Sequence, residues 1–115
     1  MTAEDKKKKK TTITVEECMN PNMRKYLTEQ NISDSELAYF SWLQTRKWLE
    51  DIGKKIVGEA GFQLIKEIIE MPGVEAVFIN PFELKVVIKK DVIWTLIEPR
   101  ILRIIKKHIK AIEQH

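Results

Sequence analysis

The sequence predicts a single α+β domain, in which an antiparallel sheet of about four strands, arranged as two hairpins, is covered on one face by helices. Two features carry this prediction. Short segments with alternating apolar residues lie on either side of two Asn-Pro turns, and longer segments repeat apolar residues every three or four positions. The length of 115 residues fits one domain. No apolar run approaches the roughly 20 residues that a membrane span needs, so we expect no membrane segment and a cytoplasmic location.

The first hairpin is predicted within residues 11–28. Residues 11–15 are β-branched and alternate, which is typical of a short strand. Asn20, Pro21 and Asn22 indicate a turn, because proline fixes φ and asparagine side chains bond to the nearby backbone. Residues 23–28 alternate again and form the returning strand.

A long helix is predicted over residues 34–57, with a possible break at Gly53. Ser33 and Glu36 have the spacing of a capping box, in which a serine and a glutamate satisfy the first backbone N–H groups. The positions with helical spacing are Leu37, Phe40, Leu43 or Gln44, Trp48, Ile52 and Ile56. A strand within this segment is the alternative, because four aromatic residues crowd it: Tyr39, Phe40, Trp42 and Trp48. One helix rarely hides so much aromatic surface, so we expect part of it to meet a partner.

The second half of the sequence predicts a helix, a hairpin and a final helix. The first of these helices presents one apolar face, formed by Phe62, Leu64, Ile65, Ile68, Ile69 and Met71, and Pro72-Gly73 ends it. Residues 74–79 and 83–89 form the hairpin. The last helix covers residues 92–112, with a regular helix starting near Ile97 or Glu98 so that Pro99 falls in its first turn. Its apolar stripe is Trp94, Ile97, Ile101, Leu102, Ile104, Ile105, Ile109 and Ile112, with Trp94 as a core anchor.

The net charge of +3 arises at the N-terminus. Residues 1–10 contain five lysines and two acidic residues, so the rest of the chain carries equal numbers of basic and acidic side chains. We therefore interpret residues 1–10 as a disordered basic leader and residues 11–115 as the single domain. Within the domain, the main charged feature is one side of the last helix, which carries Arg100, Arg103, Lys106, Lys107 and Lys110.

Four blocks of sequence stand in the order known from one protein family. They are the Asn-Pro-Asn turn followed by Lys25 and an aromatic residue, the Gly-Val and Val-Phe pairs of residues 70–79, the alternating residues 82–89, and the Trp-x-Leu-x-x-Pro opening of residues 93–102. Together they resemble the N-terminal domain of the NifU-like (Nfu) iron–sulfur scaffold proteins. The chain departs from the family at Cys18 and at the Asn80-Pro81 turn, and residues 38–55 match nothing in it.

The resemblance implies a role in iron–sulfur cluster assembly or delivery. In the family, the cluster chemistry belongs to a separate C-terminal domain with a CxxC motif, whereas this chain has one cysteine, Cys18. Because a cluster typically needs several thiolates, we expect no cofactor to be bound stably by this chain alone. The resemblance thus implies a non-enzymatic accessory domain with a protein partner from the iron–sulfur system, such as a separate CxxC-containing scaffold.

The residues themselves offer no catalytic constellation and no set with metal-ligand spacing. Cys18 is a weak candidate for a metal ligand shared between two chains, and an inert residue beside a turn is the simpler interpretation. The candidates for partner binding are Asn20, Asn22, Lys25, Phe82, Arg100, Arg103 and Lys107. Turn chemistry and a solvated helix face would explain most of them equally well.

A nucleic-acid or acidic-partner binding module is the alternative function. It would use Lys6–Lys10 together with the basic side of the last helix. Nucleic acid is the less favoured partner, because no aromatic residue lies among these cations and base stacking is therefore not indicated.

Overall fold

A computed structural model describes residues 12–41 and 46–113. The predicted basic leader with Lys6–Lys10, and the aromatic Trp42, lie outside the described residues. In chain order the elements are β1 (Ile13–Glu17), β2 (Met23–Thr28), β3 (Ala38–Ser41), α1 (Arg46–Trp48), a π-helical segment (Leu49–Gly53), α2 (Lys54–Ile69), β4 (Val74–Asn80), β5 (Glu83–Ile88) and α3 (Trp94–Glu113).

The strands form one antiparallel sheet in the order β1-β2-β5-β4-β3. The predicted α+β class is confirmed, and both predicted hairpins are present as β1–β2 and β4–β5. The fifth strand, β3, pairs with β4 at the far edge of the sheet. The chain therefore crosses the sheet between β2 and β3, and among the described residues β1 and β3 are the two edge strands.

The helix predicted over residues 34–57 is wrong in its first part. Residues 34–36 form bends, and the Ser33 hydroxyl accepts a hydrogen bond from the Ser35 N–H at 3.1 Å, in a local turn without a helix. β3 then pairs with β4, which places Phe40 opposite Val77 and buries its ring. The strand alternative is thus correct for residues 38–41. Side chains alternate between the two faces of a strand, so Phe40 is buried while its neighbour Tyr39 is exposed.

The core lies between the sheet and the α2–α3 layer. The whole predicted apolar face of residues 62–71 is buried, as are Leu84, Val86 and Ile88 of β5. In α3 the buried positions follow one another at intervals of four, at Ile97, Ile101, Ile105 and Ile109. This spacing lays one apolar stripe of the helix on the sheet. Beside the stripe, Leu102, Ile104 and Ile112 are partly buried and pack against the same core.

The start of α3 differs from the prediction. The helix begins at Trp94, so Pro99 lies inside it instead of in its first turn. Because proline has no backbone N–H, the Thr95 carbonyl loses its helical hydrogen bond. Both residues are exposed, which limits the free-energy cost of the lost bond. Trp94 is half-buried beside the core, and its indole N–H donates to the Pro21 carbonyl at 2.8 Å. The guanidinium of Arg24 lies 5.0 Å from the ring centre, so Trp94 holds the helix start to the β1–β2 turn.

α2 is kinked at Gly58, where φ is 85° and ψ is 172°. This region of backbone space is essentially restricted to glycine. A Cβ atom at this position would also meet the carboxylate of Asp34 at 2.3 Å. The Asp34 N–H donates to the Val57 carbonyl at 2.9 Å, immediately before the kink. The kink therefore lets the loop after β2 dock against α2.

Candidate functional site

One side of α3 is strongly basic and exposed. We call this surface the basic face, and it consists of Arg100, Arg103, Lys106, Lys107 and Lys110, all of which are exposed. Lys107 donates to Glu67 Oε1 at 2.7 Å. The other four cations have no ion pair or hydrogen bond within residues 12–41 and 47–112. Their positive charge is thus directed to solvent, as an attraction for an acidic surface.

Glu67 of α2 links the two helices beside the basic face. It pairs with Lys107 and also with His108 Nε2. Burial raises the pKa of the Glu67 carboxyl, but the hydrogen bonds from Lys107 and His108 outweigh this effect and hold the pKa below its ordinary value. A groove of about 540 Å³ runs along this contact. Because Glu67, which lines the groove, is already paired with Lys107 and His108, we interpret the groove as part of the packing between α2 and α3.

The sheet face away from the helices, which we call the open face, carries a row of basic and aromatic side chains. The strand register places Lys25 opposite Lys85, Lys85 opposite Phe78, and Phe78 opposite Tyr39. The two rings pack with their centres 4.8 Å apart. Glu83 partly neutralises this row, because its carboxylate lies 3.7 Å from the ammonium group of Lys85. The open face therefore has much less uncompensated charge than the basic face.

The structure places the predicted turn residues at opposite ends of the sheet. The Asn22 N–H donates to Asn20 Oδ1 at 2.9 Å, which is the turn chemistry expected of asparagine. The Asn22 carbonyl meets the N–H of Ile88, at the end of β5, whereas Phe82 lies just before its start. Phe82 is 51% exposed. With six residues in β5, the two turns are about 20 Å apart and do not form one site.

A partly buried polar network joins β2 to α3. Glu98 Oε1 accepts hydrogen bonds from the Tyr26 hydroxyl and from Arg24 Nη1, both at 2.9 Å. Tyr26 is fully buried, and burial, followed by the hydrogen bond to Glu98, raises its pKa above the ordinary value. The hydrogen bond to Glu98 likewise raises the pKa of Arg24. A tyrosine that stays protonated is a structural group here, and the network orients the start of α3.

Sequence reasoning missed this network and most of the open face. The partners of Glu98 lie more than 70 positions earlier in the chain, so no local pattern connects them. Phe78 and Lys85 become neighbours only through the register of β4 and β5. The aromatic cluster of the sequence includes Tyr39, but nothing in the sequence indicates that its ring packs on Phe78.

In the part of the chain that the structure describes, the side chains do not assemble a site for a resident metal ion or cluster. Cys18 is half-exposed and free. Across residues 12–41 and 46–113, no group of three or more histidine, cysteine, aspartate or glutamate side chains is arranged to hold a metal ion. One thiolate per chain falls short of the set that an iron–sulfur cluster uses.

Within residues 12–41 and 46–113, no helix has the length and apolar character needed to cross a membrane.

Comparison with known proteins connects this fold to one family. The family model for the N-terminal part of the scaffold proteins Nfu and NifU matches residues 13–112, from the first residue of β1 to the last turn of α3. The chain is a member of the Nfu/NifU N-terminal family. The resemblance of its four sequence blocks is thereby confirmed, and membership links the chain to iron–sulfur cluster assembly. Comparison with curated proteins finds no match.

Two solved structures share the fold of this Nfu/NifU N-terminal domain. The crystal structure of SAV1430 from Staphylococcus aureus is 15% identical and has a TM-score of 0.59, with 81% of this chain and 96% of that chain aligned. The solution structure of a NifU-like protein from Saccharomyces cerevisiae is 20% identical with a TM-score of 0.60, covering 84% of this chain and 76% of that chain. At these identities the likeness establishes the architecture.

Proposed function

We propose that this chain is a non-enzymatic accessory domain of iron–sulfur cluster assembly or delivery, and that its work is to bind a protein partner such as a separate CxxC-containing scaffold. Family membership supports the cellular process. The observation that carries the binding role is the basic face, with four cations that lack an acidic partner within residues 12–41 and 47–112. A cytoplasmic location, expected from the sequence, is part of this proposal.

The basic face has the composition of a docking surface. Leu96, Arg100, Arg103 and Lys107 follow one another at helical spacing, so they lie along one line of α3. Leu96 is 74% exposed and adds an apolar contact at one end of that line. Clustered charge of one sign steers an oppositely charged partner and fixes its orientation, while a desolvated apolar residue adds affinity. A partner with an acidic surface and an apolar pocket complements this arrangement.

A titration with a separately expressed CxxC-containing Nfu-type domain tests the proposal. We expect the double variant Arg100→Glu/Arg103→Glu to weaken binding about tenfold or more, equivalent to about 1.4 kcal/mol. The matched control is Lys55→Glu/Lys90→Glu, which makes the same change in net charge at two exposed positions away from the basic face. Equal losses in the two variants would show that net charge alone is responsible and would refute a role for the basic face.

Nucleic-acid binding is the second candidate, because the same unpaired cations suit phosphate groups. Its signature is a steep salt dependence, with log affinity falling by about 0.9 for each phosphate contact per tenfold rise in salt. Titration of duplex DNA at several salt concentrations therefore separates the candidates. Tight, salt-sensitive DNA binding that is lost in Arg100→Glu/Arg103→Glu, together with no binding to the CxxC domain, would replace the protein-partner proposal.

A further inference from the structure

The outer edge of β1 is open to pairing. β1 stands at the end of the strand order, so no strand within the described residues covers the backbone groups along its outer side. Such an edge is a template for another strand. The register places Val15 opposite Tyr26, on the helix-covered face of the sheet, yet Val15 is 38% exposed. The apolar side chain is left uncovered because the sheet ends there.

A groove of about 530 Å³ lies beneath this edge. Its lining includes the apolar side chains of Ile13, Val15 and Leu102, together with Lys106 and Lys110 of α3. Arg24, which is opposite Glu17, contacts Glu98 near the start of α3. The helix therefore runs from the Glu17 end of β1 towards its Ile13 end, and the two lysines lie near the Ile13 end.

The edge is complementary to itself when two copies run antiparallel. Glu17 is 84% exposed at one end of β1, with only a 3.9 Å contact to Arg24. Lys106 and Lys110 lie at the other end. An antiparallel neighbour brings the acidic end of each copy to the basic end of the other and places Val15 against apolar residues. The chain's own lysine-rich residues 6–10 have the same charge as Lys106 and Lys110, which disfavours them as the occupant.

We propose that two copies of this chain associate through antiparallel pairing of β1 with β1, forming a continuous sheet whose apolar centre is Val15 and whose ends are Glu17–lysine contacts. The pairing shares Lys106 and Lys110 with the basic face but does not use Arg100 or Arg103. It therefore goes beyond the proposed function, and the Arg100→Glu/Arg103→Glu test of partner binding alters neither β1 nor the two shared lysines. Antiparallel pairing centred near Val15 puts the two Cys18 residues about six residues apart along the strands, or about 20 Å. The two thiols therefore do not meet, and the dimer does not create a shared cluster site.

Sedimentation equilibrium of the full chain, at concentrations up to about 1 mM, where weak association is measurable, tests the pairing. We expect a concentration-dependent monomer–dimer equilibrium that Val15→Lys abolishes. Glu17→Lys should weaken it, whereas Glu50→Lys, the same charge change at an exposed position outside β1, should leave it unchanged. A chain that stays monomeric, or a dimer that is indifferent to Val15→Lys, would overturn the proposal.

A mixing experiment guards against variants that merely fold badly. Glu17→Lys brings like charges together at each end of the dimer, and so does Lys106→Glu/Lys110→Glu. Mixed in equal amounts, the two variants should form a heterodimer, because every contact then joins opposite charges. Circular dichroism checks that each variant is folded on its own. If two folded variants failed to associate on mixing while the wild type dimerised, the antiparallel β1 arrangement would be wrong.

Discussion

Tyr26 carries a hydroxyl group into the fully buried part of the fold. A buried hydroxyl without a partner costs free energy, so the position requires an acceptor. Glu98 supplies one and is in turn held by Arg24. The Glu98 carboxylate thus accepts hydrogen bonds from a buried hydroxyl and from a cation at once. Removing Glu98 therefore leaves both Tyr26 and Arg24 without this acceptor.

We expect Glu98→Ala to lower the free energy of unfolding by about 1–3 kcal/mol, the usual cost of an unsatisfied buried polar group. Combining it with Tyr26→Phe should cost less than the sum of the single changes, because the unsatisfied hydroxyl is then absent. Urea unfolding of the two single variants and the double variant gives this coupling. Strict additivity would contradict the role assigned to the hydrogen bond.

Trp94 should contribute less to stability than a core tryptophan. Its ring is half-buried, and its specific contacts are one hydrogen bond to Pro21 and the Arg24 guanidinium. We expect Trp94→Ala to cost about 1–3 kcal/mol, below the roughly 3–5 kcal/mol of a fully buried aromatic residue. Urea melts compare it with Ile105→Ala, which removes a fully buried side chain. A Trp94 effect of 4 kcal/mol or more, on the order of a core deletion, would contradict this view.

At the scale of elements, the sequence predicts those whose burial pattern is long and regular. The α3 stripe and the β4–β5 hairpin have enough repeats for the period to be recognised. β3 has four residues, too few to show alternation, and Phe40 also fits a helical spacing with Leu37. The strand conformation of β3 depends on its pairing with β4, which lies more than 30 positions later in the chain. No local pattern contains that information.

The candidate site was predictable only in part, for a related reason. The basic face could be predicted because helical spacing alone assigns its residues to one side of α3. The pairing of Lys85 with Phe78 depends on strand register, and the separation of Asn20 from Phe82 depends on the order of strands. Both are tertiary properties, so the residues can be predicted from the sequence but their arrangement cannot.

Gly58 offers a test of the kink in α2. In an ordinary helix, replacing glycine with alanine would stabilise the protein by about 1 kcal/mol. Here we expect the opposite sign, a loss of about 1–3 kcal/mol from backbone strain, increased by the close approach to Asp34. Urea unfolding of Gly58→Ala measures the change, with Lys55→Ala as an exposed helical control. A stabilised Gly58→Ala variant would show that the kink is not required.

At the scale of the whole molecule, one thiol per chain limits iron–sulfur chemistry. We expect anaerobic reconstitution with iron and sulfide to leave the purified protein colourless, without stoichiometric iron. Absorbance spectroscopy and iron analysis check this expectation. A stable chromophore that disappears in Cys18→Ser would contradict it, and would favour an arrangement of chains in which the thiols do meet.

The strand order also has a consequence for how the fold opens. β2, β5 and β4 are each paired on both sides, whereas β1 and β3 are held on one side. Local openings start where few neighbours must be released, so the amide hydrogens of the two edge strands should exchange with solvent fastest among the strands. Hydrogen exchange followed by NMR measures this gradient, and slower exchange in β1 and β3 than in β5 would contradict it. Raising the protein concentration should slow the exchange of the β1 amide hydrogens and leave that of the β3 amide hydrogens unchanged. Two strands that are each paired on one side would then respond differently to a second copy of the chain.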